Sequence, residues 1–253
     1  MSTDLWDIDA GYLSSLQLND ALKSLNGLLG VDKAAPGAAL PARWRGHRDA
    51  LVIRCNQVLA EMALRQLPVV SPLPMPEEAV LWPVSYSASP SAQLAEIREC
   101  NGRGQRGRIS APQSEHELWA QYKYSVLARN HEAYRHFGQL VAARGITRDE
   151  LVLELVASTH VAPTLGGLRN AVYHMWGYVS AHSSRNPNQS DLATLMTEIQ
   201  QLAAAHKVTY LLHSTALGEL AIWCRHYSTQ TGSGQGATGQ TGASPSGTKP
   251  GRF

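Results

Sequence analysis

The stretch 123–135 gathers groups of the kind that meet nucleic acids. Lys123, Arg129 and Arg135 can donate to phosphate oxygens, and Tyr124 and Tyr134 offer flat faces for stacking. A second group follows at Asn170, His174 and Tyr178. Asn170 and His174 stand at i and i+4, on one face of a helix, where they can share a ligand or a hydrogen bond. The competing expectation for Tyr124, Tyr134, His174 and Tyr178 is that they pack a core with their polar tips satisfied. A third basic group, Arg43, Arg45 and His47, lies in the N-terminal third. Segment 101–108 reads Asn-Gly-Arg-Gly-Gln-Arg-Gly-Arg. It is expected to be a flexible, solvated linker, the alternative being a strip that drapes over a nucleic-acid backbone.

Charge does not single out any of these places in advance. Residues 1–73 carry seven Lys/Arg and seven Asp/Glu, residues 74–113 four of each, and residues 114–227 nine of each. The formal net charge of +2 comes from Lys249 and Arg252. With no basic block, any nucleic-acid site must arise from local clustering on one face. Cys55, Cys100 and Cys224 lie far apart, which predicts free thiols in a reducing compartment and no structural zinc or iron–sulfur cluster. The expected cofactor and metal content is none. No apolar run is long enough to span a membrane, and the acidic N-terminus is not a signal peptide, so a cytoplasmic location is expected.

The elements that must position these groups are predicted to be all-α. Tyr12, Leu13, Leu16, Leu18, Leu22, Leu25, Leu28 and Leu29 recur at helical spacing, with Gly30 as the stop. A loop over 31–42 precedes a second helix over about 46–66, with Leu51, Val58, Leu59 and Met62 on its apolar face. The division is an N-terminal helical domain (1–73), an irregular Pro/Gly/Arg linker (74–113), a bundle of about five helices (114–227) and a disordered tail (228–253). Within the linker, 93–100 could form two turns. Capping boxes at Ser114/Glu117 and Thr147/Glu150 open two bundle helices, over 114–143 and 147–158. Further helices are expected over 165–181, after the Ser190-Asp191 cap, and over 207–226.

The run Leu118-Trp-Ala-Gln-Tyr-Lys-Tyr-Ser-Val-Leu-Ala-Arg-Asn-His-Glu-Ala-Tyr-Arg-His-Phe-Gly, with Asn170-Ala-Val-Tyr-His-Met-Trp-Gly-Tyr178 after it, resembles the YbgA-like family, domain of unknown function 1722. The resemblance covers about 117–227. It implies a nucleic-acid-holding role whose candidate residues are Lys123, Tyr124, Arg129, Tyr134, Arg135, Asn170, His174 and Tyr178. The cysteines of the desulfidases to which this family is sometimes fused are missing, so that chemistry does not carry over.

The N-terminal third is similar to the pyrimidine-dimer DNA glycosylases, through Leu5-Trp-Asp-Ile8, Leu25-Asn-Gly-Leu28, Arg43-Trp-Arg-Gly-His47, Glu61-Met62 with Arg65, and Ser71-Pro72. That resemblance implies attack on a sugar by an N-terminal amine, here that of Ser2 once Met1 is removed, with support from a glutamate and a basic patch. Ser24 stands where the glutamate is expected, with Asp20 about one helical turn away, and the N-terminus is displaced by two residues. These departures predict a degenerate, inactive frame. Three functions therefore remain open. The first is a nucleic-acid-binding accessory protein of DNA repair or RNA modification, without catalysis and with DNA or RNA, and a protein of either pathway, as partners. The second is a glycosylase/lyase acting through Ser2. The third is a protein-interaction or small-ligand module.

Overall fold

The computed structural model describes residues 5–30 and 41–233. All regular elements among them are helical, with no strands. Ten α-helices follow one another: α1 (Ser15–Leu29), α2 (Arg48–Leu64), α3 (Pro90–Gly102), α4 (Glu115–Leu127), α5 (His131–Ala142), α6 (Arg148–Thr159), α7 (Leu165–Trp176), α8 (Leu192–Ala205), α9 (Thr209–Leu212) and α10 (Ala216–Ser233). None of the described helices is long and apolar enough to cross a membrane.

Local chemistry accounts for the boundaries. Ser14 caps α1 through the Gln17 amide while Gln17 caps back, and Gly30 closes the helix at φ 67°, a left-handed conformation that glycine adopts at little cost. The expected helix over 114–143 is two helices. Asn130 leaves the helical conformation and accepts from the Glu132 and Ala133 amides, which stops α4 and opens α5. The expected helix over 207–226 is likewise broken. Thr215 donates its backbone N–H to Gln121 of α4 (2.9 Å) rather than continuing α9, and α10 begins afterwards. That helix runs on to Ser233, past the expected end at 226. The remainder of the expected tail, the loop over 31–40 and Ser2 lie outside the described residues.

Helix α2 organises the packing. Every residue from Ile53 to Met62 is buried, so it is enclosed all round and is not a one-faced amphipathic helix. Leu51, Cys55, Val58, Leu59 and Met62 join a core with Tyr12, Leu18, Leu25, Ile97, Leu118, Tyr122 and Leu155. Ile53 and Ala60 join another, with Leu168, Met175, Leu195, Ile199, Leu217 and Trp223. Each core draws on residues from both sides of position 114.

Enclosure forces the polar residues of α2 to find partners, because a buried polar group without one costs more than a hydrogen bond contributes. Asn56 exchanges two 2.8 Å bonds with the Leu73 backbone. Arg54 donates to Gln57 and to the Asp7 and Ile8 carbonyls. Glu61 receives Arg65 (2.7 Å) and Arg108 (2.7 Å). Arg108 also donates to the carbonyls of Leu212 (2.6 Å) and Ser214 (3.1 Å). The Gly/Arg segment over 101–108 is thus not a solvated linker at its end. Gly107 lies so close to the Tyr12 carbonyl that a Cβ would clash with backbone there, and Arg108 is buried.

Asp9 sits beside this network. Burial, reinforced by the Glu61 charge, raises its pKa to about 7 against the ordinary 3.8. A carboxyl whose folded pKa lies above its unfolded value lends stability below the unfolded value and withdraws it as pH rises through the folded one. Stability should therefore fall between about pH 4 and pH 7 on account of this group. Asp9→Asn keeps an acceptor for the Gly11 amide (2.8 Å). It should melt with wild type near pH 4 and above it at pH 8, by at least ~3 °C. Parallel melting curves at both pH values would show that Asp9 is not the group responsible.

Candidate functional site

Helices α4, α7 and α9 converge at one cluster. Ser114 fixes the start of α4 by accepting from the Glu117 amide, and Thr164 does the same for α7 through Gly167. Gly167 lies against the Ala128 carbonyl at the end of α4, where a Cβ would collide, so glycine permits the two helices to approach this closely. Leu168, Ala171, Val172 and Met175 turn the apolar face of α7 inward, leaving Asn170 and His174 exposed on the other.

The cluster has Lys123 at its centre. Its Nζ lies 5.0 Å from the centroid of the Tyr124 ring and 4.9 Å from that of Tyr210. Tyr178 stacks on Tyr210 at 4.9 Å with an interplanar angle of 21° and remains 42% exposed. The Tyr124 hydroxyl donates to the Tyr178 hydroxyl (3.2 Å), and the His174 ring lies 6.2 Å from Tyr124 at 20°. Burial works against the charge of Lys123, but the neighbouring Tyr210 hydroxyl and the phenols of Tyr178 and Tyr134 outweigh it and raise its pKa. The phenols of Tyr124 and Tyr210 are raised as well, chiefly by burial. At neutral pH the cluster is a cation held against neutral aromatic rings, with one ring facing solvent.

Sequence reasoning missed Tyr210. The apolar pattern Val208, Leu211, Leu212 absorbed its neighbourhood, and only its position off that apolar face could have marked it. Tyr124 satisfies both expectations, being 4% exposed and within the core while also forming the floor of the cluster. Tyr134 is half-buried against Trp119 (5.4 Å), and Arg135 is exposed on α5.

Two expected phosphate donors are corrected. The Arg129 side chain is 2% exposed and pairs with Glu219, itself 2% exposed, at 2.8 Å. Its remaining donors go to the carbonyls of Ser125, Thr159 and Val161. All five N–H groups are engaged, which leaves none for a phosphate. Arg43 is 8% exposed and held by Asp7 (3.0 Å) and by the carbonyls of Leu5 and Ser85. Arg45 is exposed, while His47 Nδ1 donates to the Leu81 carbonyl (2.9 Å). These three flank the start of α2 and the 81–85 segment.

At the N-terminal side, Ser24 and Asp20 line a cavity of about 290 Å³ with Trp6, Gln17, Gln93 and Glu96. Glu96 brings a carboxylate there from α3 that sequence reasoning did not place. Among the described residues, no cluster of His, Cys, Asp and Glu could hold a metal, and all three cysteines are free and buried.

Residues 123–217 match the family model described as "Protein of unknown function (DUF1722)". That stretch holds Lys123, Tyr124, His174, Tyr178 and Tyr210, so this part of the chain is similar to that family. The glycosylase resemblance of the N-terminal third finds no support among the comparisons. No curated protein and no solved structure matches the chain.

Proposed function

We propose that this protein binds single-stranded nucleic acid on the face formed by Lys123, Tyr124, His174, Tyr178 and Tyr210, as an accessory factor without catalysis of its own. The observation that carries the reading is the ammonium of Lys123 set within about 5 Å of two tyrosine rings while Tyr178 presents a partly exposed face beside them. An exposed aromatic ring accepts an unpaired base by stacking, and a fixed cation beside it meets the adjoining phosphate. Bases within a duplex are already stacked on one another and cannot use such a ring without being extruded. Balanced charge elsewhere makes the contact local, so few counterions are released and the salt dependence is shallow.

Fluorescence anisotropy with labelled single-stranded DNA, single-stranded RNA and duplex tests this directly. Tyr178→Ala should weaken single-strand binding by about 1–3 kcal/mol, the usual contribution of one stacked base, with the salt slope unchanged. Lys123→Ala should weaken binding and reduce the slope by roughly one. Tyr178 is too exposed for its loss to move the melting temperature much, so folding and binding effects separate. Equal affinity of wild type and both variants for every nucleic acid would reject the reading.

A further inference from the structure

The tyrosine pair has a neighbour built from the same two segments. The chain leaving α7 carries Tyr178 and, four residues on, His182. The chain running from the end of α8 into α9 carries His206 and, four residues on, Tyr210. Tyr178 stacks on Tyr210, and His182 stacks on His206 with 3.7 Å between centroids and 9° between planes. The two segments therefore run antiparallel, with the two ring pairs side by side. Backbone bonds from Tyr178 to Met175, from Val179 to Trp176 and from His182 to Val179 keep the chain in tight turns from α7 to His182. At the rise of α and 3₁₀ turns, four residues advance the chain by roughly 6–8 Å. Tyr178 and His182 are thus consecutive steps along one side of the same segment, each backed by a ring of the other.

Both imidazoles of the second pair are exposed, and neither hydrogen-bonds to a described residue. Each has one face covered by its partner, so the exposure belongs to the outer faces and the ring edges. The nearby carboxylate of α8, Glu198, is occupied by Ser183 and Arg185, so its charge is balanced. Lys207, also exposed, follows His206 directly. An open aromatic face of this kind stacks an unpaired base whatever its identity, and imidazole serves as well as phenol in such contacts.

We propose that His182, backed by His206, receives the nucleotide next to the one stacked on Tyr178. The occupant of this face is then a strand of at least two nucleotides and not a mononucleotide. The inference rests on the single-strand reading above and adds the direction in which the strand leaves the tyrosines. Lys123, against Tyr124 and Tyr210, meets a phosphate at the first step, and the histidine pair supplies the second stacking surface.

Two probes separate the steps: thymidine 3′,5′-bisphosphate and the dinucleotide phosphorylated at both ends. Each carries a phosphate on both sides of every base, so either strand polarity can be accommodated. Two-dimensional NMR titration of the full chain reads weak and strong binding alike. In wild type the dinucleotide should bind about tenfold more tightly than the bisphosphate, within the usual contribution of one stacked base. His182→Ala should abolish that increment and leave the bisphosphate unchanged, whereas His182→Phe, which keeps a flat ring, should retain it. Tyr178→Ala should weaken both probes. His182 is exposed, so these variants should melt with wild type. A full increment in His182→Ala, with Tyr178→Ala still weakening both probes, would overturn this inference and leave the single-strand reading standing. His182→Phe binding as poorly as His182→Ala would also overturn it, since stacking would not be what the histidine supplies. If wild type bound neither probe nor any longer strand, the single-strand reading would fail and this inference with it.

Discussion

Glu219→Ala should lower folding stability by about 3–5 kcal/mol, because it leaves the Arg129 guanidinium charged, buried and without its counterion. Both side chains are 2% exposed, and the pair joins the end of α4 to the first turns of α10. Arg129→Ala should cost a similar amount, since it strands the Glu219 carboxylate and leaves the Ser125, Thr159 and Val161 carbonyls without their donor. The double variant Arg129→Met/Glu219→Leu removes both charges together and should recover a substantial part of the loss. Urea denaturation of the four proteins reads this directly through the midpoint at constant slope. If Arg129→Ala kept the wild-type midpoint and instead weakened nucleic-acid binding, Arg129 would be a surface phosphate donor after all. The same experiment therefore discriminates between the expectation raised by sequence and the role found in the fold.

Why sequence misplaced Arg129 and Arg43 is physically clear. An arginine next to a polar asparagine, in a segment otherwise fit for a helix surface, carries no local mark of burial. Its counterion is ninety positions away. Periodicity reports which side chains face the nearest core, and it did so for α1, α7 and α8, where one stripe is apolar and the other polar. It fails for α2, which is enclosed all round. There Arg54, Asn56 and Glu61 carry no local mark of burial, because their partners include residues 7–8, 73 and 108, and Gln57 is held by Arg54. Caps were legible for a related reason. Ser114, Thr147 and Asp191 each satisfy the amide three residues ahead, so the whole interaction lies within a short window of sequence. Of the cluster around Lys123, the residues Lys123, Tyr124, His174 and Tyr178 were legible through the two blocks that carry the family resemblance. Tyr210 was not, because α9 is a single turn whose position depends on the break at Thr215.

Removing Glu61 should have an effect as large as breaking the Arg129 pair, since it leaves two arginines without their shared carboxylate. Glu61 is 1% exposed, while Arg65 and Arg108 are 13% and 9% exposed. Arg108 keeps its bonds to the Leu212 and Ser214 carbonyls and Arg65 its bond to Leu13 (2.7 Å) after the substitution, so geometry persists while charge balance is lost. Glu61→Ala should therefore destabilise by about 3–5 kcal/mol, and Glu61→Gln by less, because the amide oxygen still accepts one guanidinium. The substitutions also act on Asp9, whose carboxyl is pushed up partly by the Glu61 charge and drawn down by Arg108. With Glu61 neutral, Asp9 faces an unopposed cation and its pKa should fall. Burial still holds the Asp9 pKa up, so the decline in stability between about pH 4 and pH 7 should shrink in Glu61→Gln. The two readouts, a lower midpoint at every pH and a flatter pH profile, must appear together. A lower midpoint with an unchanged profile would place the pH-sensitive group elsewhere, and an unchanged midpoint would mean that Arg65 and Arg108 are neutralised by something other than Glu61.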